Sequence, residues 1–374
     1  MKFYLLPWFD AHVHLRGPNS PWCKSAFELI VGSVAKQCRY AVVMPNSPII
    51  KTVDEMETYR NQIIAVAKKV TPRSDFEPLM TLYLTENSSE KDIKMASEIP
   101  WFAGWKLYPQ GVTTGSQDGV SDFRRLEKVL RMIDQAGSRL LIHGETMRSD
   151  IDVLHTEEVF VMEDLPVIRK IFKGKICLEH CSTLAAINAV LDDDLMWGSI
   201  TPHHLTGTAD GTHNPHNRCK PVWQTEAQRL NVLVSISCIT SNKFFAGTDN
   251  APQFESQKLS AQVPNGCFSS PVALQLYFQA FSEIFPSEER NKSGVFCKKL
   301  NDFLYNNAAK FYGKSIKNFS NISTHPFNGA IILTKESSDA PLANDYHFFD
   351  DNRKENDQIV PLRANEKLPF SVLY

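Results

Sequence analysis

The amino-acid sequence predicts a closed (β/α)8 barrel followed by a C-terminal extension. Three observations carry this. Short β-rich apolar runs alternate with longer amphipathic runs about eight times along the 374 residues. The short runs are apolar almost throughout, as strands of a parallel sheet covered on its other face must be. No Gly-x-Gly-x-x-Gly turn marks a dinucleotide crevice, so eight repeats favour a barrel over an open doubly wound sheet.

Taken in order, strands are expected over residues 3–9, 40–44, 78–84, 103–108, 139–143, 175–180, 197–200 and 243–247. A helix is expected over 53–70, where Val53, Met56, Tyr59, Ile63 and Val66 form one stripe. Another is expected over 123–136, with Phe123, Leu126, Val129, Leu130 and Ile133 at helical spacing. Residues 1–319 thus read as the catalytic barrel. Residues 320–374 are polar and proline-bearing, with an apolar run at 329–333, and read as an extension packing on the barrel.

Composition narrows the class. A chain with 43% hydrophobic and 22% charged residues suits a soluble globular protein with a substantial core. A net charge of −2 leaves no basic footprint for nucleic acid or an anionic membrane surface. The eight cysteines contain no Cys-x-x-Cys pair, which fits reduced thiols in a cytosolic protein. Residues 1–6 are too short an apolar run for a signal peptide, and no stretch could span a bilayer, so a cytoplasmic protein is expected.

The chemistry starts at Phe9-Asp10-Ala11-His12-Val13-His14-Leu15-Arg16. Alternate residues of a strand share a face, so His12 and His14 point the same way, and neutral imidazoles suit zinc. A surface strand or a satisfied core pair would give the same His-x-His spacing. Catalytic groups of this barrel sit at the C-terminal ends of its strands, which supplies a test. Strand ends also carry Lys106, His143, His180 and Asp249. Three histidines and an aspartate make one ordinary zinc site; a fourth histidine and a lysine point to two metals needing a bridge. Lysine carboxylated by CO2 can bridge two metals roughly 3.5–4 Å apart. The alternative for Lys106 is an ion pair near the barrel rim.

Further segments make the pattern specific. They are Val43-Met44-Pro45-Asn46, Lys106-Leu107-Tyr108-Pro109, Gly111-Val112-Thr113-Thr114 and Ile142-His143-Gly144-Glu145. Leu178-Glu179-His180-Cys181, Ile200-Thr201-Pro202-His203-His204-Leu205 and Gly247-Thr248-Asp249 follow. Together they resemble the short bacterial and fungal class of dihydroorotases, in the amidohydrolase superfamily. The likeness runs to about Tyr312 and returns at Val360-Pro361-Leu362 and Phe370-Ser371-Val372.

The resemblance implies a zinc-dependent interconversion of N-carbamoyl-L-aspartate and L-dihydroorotate by a cytoplasmic homodimer. It assigns His12, His14 and Asp249 to one zinc, His143 and His180 to the other, and carboxylated Lys106 to the bridge. Asp249 would also relay a proton from the attacking water to the leaving ring nitrogen. Arg16 and Asn46 would hold the substrate carboxylate. Thr113 and Thr114 would belong to a loop, 111–119, closing over the substrate. Asn46, Thr113 and Thr114 could equally be plain turn and loop residues. His203 and His204 read as rim or outer groups, and Glu145 and Glu179 as orienting carboxylates or strand-end charges.

Two departures stand out. The family's Ser-Ala-Pro-His, whose histidine binds the substrate carboxylate, is here Asn250-Ala251-Pro252-Gln253. A charge-assisted bond is worth ~1.5–3 kcal/mol against ~0.5–1.5 for a neutral one, so Gln253 would weaken binding about tenfold. Residues 206–217 and 254–265 are also poorly matched, leaving Lys220 and Asn265 as the expected backbone contacts to the substrate ring. The competing readings are a hydantoinase- or dihydropyrimidinase-like cyclic amidase and a non-catalytic barrel scaffold.

Overall fold

The computed structural model describes residues 2–5, 7–18, 22–71, 75–238, 242–285, 294–317, 331–334, 337–350 and 355–373. A first strand, β1 (Lys2–Leu5), is followed by β2 (Trp8–Val13), β3 (Cys38–Val43), β4 (Glu77–Tyr83) and β5 (Phe102–Leu107). Then come β6 (Leu140–His143), β7 (Ile176–Glu179), β8 (Met196–Ile200) and β9 (Phe244–Ala246). Strands β2 to β9 form one parallel sheet of eight in chain order, with helices between them. This is the (β/α)8 barrel.

The sheet is joined into a ring by side-chain chemistry where a ladder is missing. Asp10 on β2 accepts from the Thr248 amide at 2.8 Å and its hydroxyl at 2.6 Å, just beyond β9. His14 N donates to Asn250 O at 2.8 Å across the same seam.

Two apolar layers hold the barrel. Phe9, Ala11, Val42, Leu79, Ala103, Leu141, Cys177 and Phe245 fill its interior, closed below by Tyr305, Phe311 and Tyr312. Ala41, Val43, Met80, Leu82, Trp105, Ile142 and Leu178 face outward against the helices. The helix Val53–Val70 buries Val53, Met56, Tyr59, Ile63 and Ala67 on that layer. Thr52 and Glu55 close its first turn in a capping box, worth on the order of 1 kcal/mol.

The expected strand over 3–9 is two strands. Pro7, which has no amide hydrogen to donate, separates them, and β1 leaves the barrel to pair antiparallel with β10 (Ile331–Thr334). That strand also pairs with Ser371–Leu373. Leu362 N donates to Phe268 O at 2.8 Å. The expected boundary near residue 320 lies outside the described residues. No described helix is long and apolar enough to cross a membrane, and the described cysteines are free thiols.

Candidate active site

Strand alternation explains how the site residues reach one mouth. On β6, Leu141 and then His143 face inward; on β7, Cys177 and then Glu179 do. Two strands change parity on the way. Phe9 and Ala11 face the interior, so a regular strand would send Val13 inward. A register irregularity between Asp10 and Val13 instead presents His12 and His14. On β5 the break falls at Gly104, whose φ of +155° and closeness to Arg139 O, 2.7 Å from where a Cβ would sit, suit only glycine. Lys106 then points inward.

Beyond the strands, Arg16, His180 and Asp249 adopt left-handed backbone conformations, with φ of 55°, 46° and 45°. Such conformations cost on the order of 1–3 kcal/mol and persist where the surroundings enforce them. Each turns its side chain into the mouth, and all three line one cavity with His12, His14, Asn46, Thr113, Thr114, His143, Lys220 and Asn265. Lys106 and Gln253 stand behind the wall. Lys106 is fully buried and pairs with Glu179; Gln253 donates to Asn265 O at 2.8 Å.

His14 Nδ1 lies 2.7 Å from Asn46 Oδ1, and the Asn46 amide nitrogen donates to Thr114 O at 2.9 Å. Only a proton on His14 Nδ1 satisfies that oxygen, so Nε2 carries a lone pair. Burial pushes the His14 pKa down to about 4, so the ring is neutral at pH 7. Its Nε2 nevertheless sits 3.2 Å from His12 Nε2 and 3.0 Å from Asp249 Oδ1. Burial alone would raise Asp249, but its imidazole neighbourhood, His12 first, holds it well below the usual carboxylate range. Three electron-rich atoms therefore converge with no proton assigned between them, the arrangement a divalent cation satisfies.

On the other side of the mouth, His143 Nε2 is bonded to Glu145 Oε2 at 2.8 Å, leaving Nδ1 for a ligand role. Glu145 also accepts from Thr156 at 2.7 Å and from Lys220 at 3.3 Å. Burial lowers His143, and lowers His180 further; the buried Nδ1 of His180 has no hydrogen-bond partner. Neutral imidazoles and an ionised carboxylate are the donor set zinc takes. The residues fit the metal.

Arg16 is 1% exposed, and its Nε donates to Pro252 O at 3.0 Å. Burial lowers its pKa to about 10, so it stays charged at pH 7. Among the described residues no carboxylate forms an ion pair with it. A buried cation without a counter-ion is costly, and one lining a cavity calls for an anionic ligand.

These features meet in known proteins. No family model matches the chain. A dihydroorotase of Acinetobacter baumannii is 33% identical over 368 residues, covering 96% of each sequence. The chain belongs to the dihydroorotase family. Among solved dihydroorotases, that of Campylobacter jejuni superposes with a TM-score of 0.77 at 27% identity, covering 100% of this chain and 97% of that one. The Saccharomyces cerevisiae dihydroorotase in complex with 5-fluoroorotic acid gives 0.77 and 27%, covering 99% and 98%. Dihydroorotases are metal-dependent hydrolases of a cyclic amide, and this chain is an enzyme of that kind.

Sequence reasoning passed over three residues. Tyr108 lines the cavity with its buried hydroxyl unpartnered, a position that i, i+2 alternation from Lys106 predicts. Asp10 ties the two strands bearing His12 and Asp249. Glu157 accepts from both the amide and hydroxyl of Ser182 at 3.0 Å and from Thr183 at 2.6 Å, fixing the turn after His180; no sequence signal marks it. His203 and His204 are buried with Cys219 rather than on the rim. Thr201 and Pro221 O, at 2.7 and 3.0 Å, occupy both nitrogens of His204.

Proposed function

We propose that this chain catalyses the zinc-dependent, reversible cyclisation of N-carbamoyl-L-aspartate to L-dihydroorotate plus water, in pyrimidine biosynthesis. The observation that carries the substrate class is the buried Arg16, without an ion-pair partner among the described residues, on the same cavity as the His12–His14–Asp249 cluster. A dihydroorotate carboxylate would neutralise Arg16 through a planar, bidentate contact. A hydantoin or dihydropyrimidine ring offers no such group.

Two zinc ions, held by His12, His14 and Asp249 and by His143 and His180 with carboxylated Lys106 between, would polarise the ring amide and make water nucleophilic near neutral pH. Asp249, ionised, would accept the proton of the attacking water and return it to the ring nitrogen as the C–N bond breaks. In the reverse direction the same carboxylate moves the proton the other way. Carboxylation would replace the Lys106 ammonium with an anionic carbamate, ending its pairing with Glu179 and leaving Glu179 to His12 Nδ1, which lies 3.2 Å from Glu179 Oε1. Asn46 would steady both His14 and the 111–119 loop. Lys220 and Asn265 would meet the substrate ring through their backbone. The assembly is read as a homodimer, which light scattering measures.

The test is turnover of L-dihydroorotate, hydantoin and dihydrouracil by the zinc-loaded protein, with the ring-opened products quantified. Turnover of L-dihydroorotate alone is expected. Turnover of either uncharged ring without L-dihydroorotate would overturn the substrate assignment.

A further inference from the structure

We propose that Gln253 is a positioning residue: it fixes the Asn265 carbonyl to which Thr114 of the 111–119 loop donates, and so holds that loop over the cavity. The idea rests on the reading of this cavity as the dihydroorotase site only for what the loop closes over.

The floor beneath Asn265 is tied by hydrogen bonds. Gly266 N donates to Arg218 O and Ala251 N to Cys267 O, each at 2.8 Å. The buried Lys258 ammonium donates to Arg218 O at 2.9 Å and to Pro264 O at 3.0 Å. Gly266 has a φ of +130°, and a Cβ there would stand 2.2 Å from Ala251 O, so these backbones touch without intervening side chains. The Asn265 carbonyl oxygen is what this floor offers to the loop.

That oxygen has two lone pairs and two donors. Gln253 Nε2 reaches it at 2.8 Å and Thr114 Oγ1 at 3.1 Å. From the opposite wall, Asn46 Nδ2 donates to Thr114 O at 2.9 Å. Thr114 is therefore gripped at both its carbonyl and its hydroxyl, and Gln253 acts on the hydroxyl through Asn265. Gln253 is 7% exposed and does not line the cavity, so its amide is committed to the loop anchor instead of to a substrate. The charge absent at this position is replaced by a fixed acceptor for the loop.

The test is hydrogen–deuterium exchange of the 111–119 segment in the full-length, metal-loaded, substrate-free chain. Gln253→Glu keeps the shape but sets an acceptor against the carbonyl, Gln253→Ala removes the donor without adding charge, and Thr114→Val removes the second donor. We expect exchange of the segment to rise about threefold to tenfold in each, the range one neutral hydrogen bond supports. The double variant Gln253→Ala/Thr114→Val should exchange no faster than the faster single variant, since both act through one oxygen. Wild-type exchange in Gln253→Ala, with only the KM for L-dihydroorotate raised, would overturn the proposal. Additive effects in the double variant would overturn it too. Because the exchange readout needs no substrate, failure of the substrate assignment leaves it intact.

Discussion

The two walls of the cavity are built differently. One wall stands on strand ends: His12, His14, Lys106, His143, His180 and Asp249 project from β2, β5, β6, β7 and β9 or from the first three residues beyond them. Each is buried, and all but the His180 imidazole meet a second carboxylate, amide or imidazole. The other wall comes from loops, where Thr114, Lys220 and Asn265 are held by hydrogen bonds to other segments and Thr113 by Ser116 of its own loop. The strand wall is made of groups at the barrel's strand ends, and the loop wall is backed by Gln253, whose amide donates to Asn265 O. The difference teaches that the groups able to hold a cation are positioned by the barrel itself, while the residues opposite them are positioned by loops.

The largest effect should come from the strand wall. Asp249→Ala removes both a cation ligand and the proton carrier, so kcat should fall about 10²–10⁴-fold, the range of general acid–base catalysis. Bound zinc should fall with it. Activity lost with full metal content would assign Asp249 to proton transfer alone; unchanged turnover would break the comparison at its root.

Arg16 links the two walls. Arg16→Gln should raise KM for L-dihydroorotate about tenfold to a hundredfold, the loss expected for a charged hydrogen bond, with zinc content unchanged. The same variant tests the cost of burying an unpaired cation. Urea unfolding should show it as stable as the wild type or more so.

Much of this was legible in the sequence, and the reasons are physical. Seven of the eight strands fall within a few residues of their expected places because a two-sided parallel sheet demands continuous apolar runs. Catalytic residues then follow from the strand ends. Pro7 was legible as a break but was read through, merging β1 with β2. The parity changes at Asp10–Val13 and at Gly104 leave no signature in hydrophobic pattern, though they decide that His12, His14 and Lys106 face the mouth. Asp10 and Glu157 act through partners 238 and 25 residues away, a relation that only the folded chain creates. The resemblance gave Gln253 a carboxylate to bind; its amide meets Asn265 because the loop geometry, not the motif, sets its partner.

A smaller effect should separate the turn after His180 from the rest of the strand wall. Burial raises the Glu157 pKa from 4.5 to about 8, against the lowering by Thr183 and Ser182. The folded state therefore binds the proton more tightly than the unfolded one. Its contribution to stability is full below about pH 4.5 and is lost as pH rises towards about 8. The slope within that window is at most about 1.4 kcal/mol per pH unit. In urea unfolding across it, Glu157→Gln should lose less stability than wild type as pH rises. Parallel curves would remove Glu157 from the support of His180.

The most direct measurement is zinc per chain, by mass spectrometry of the metal, in the wild type and in Lys106→Ala, alongside L-dihydroorotate turnover. Near two zinc per chain with turnover in the wild type, and loss of both in Lys106→Ala, is the expected result. Two zinc retained without Lys106, or turnover by a metal-free wild type, would contradict a paired-metal centre built on the strand ends.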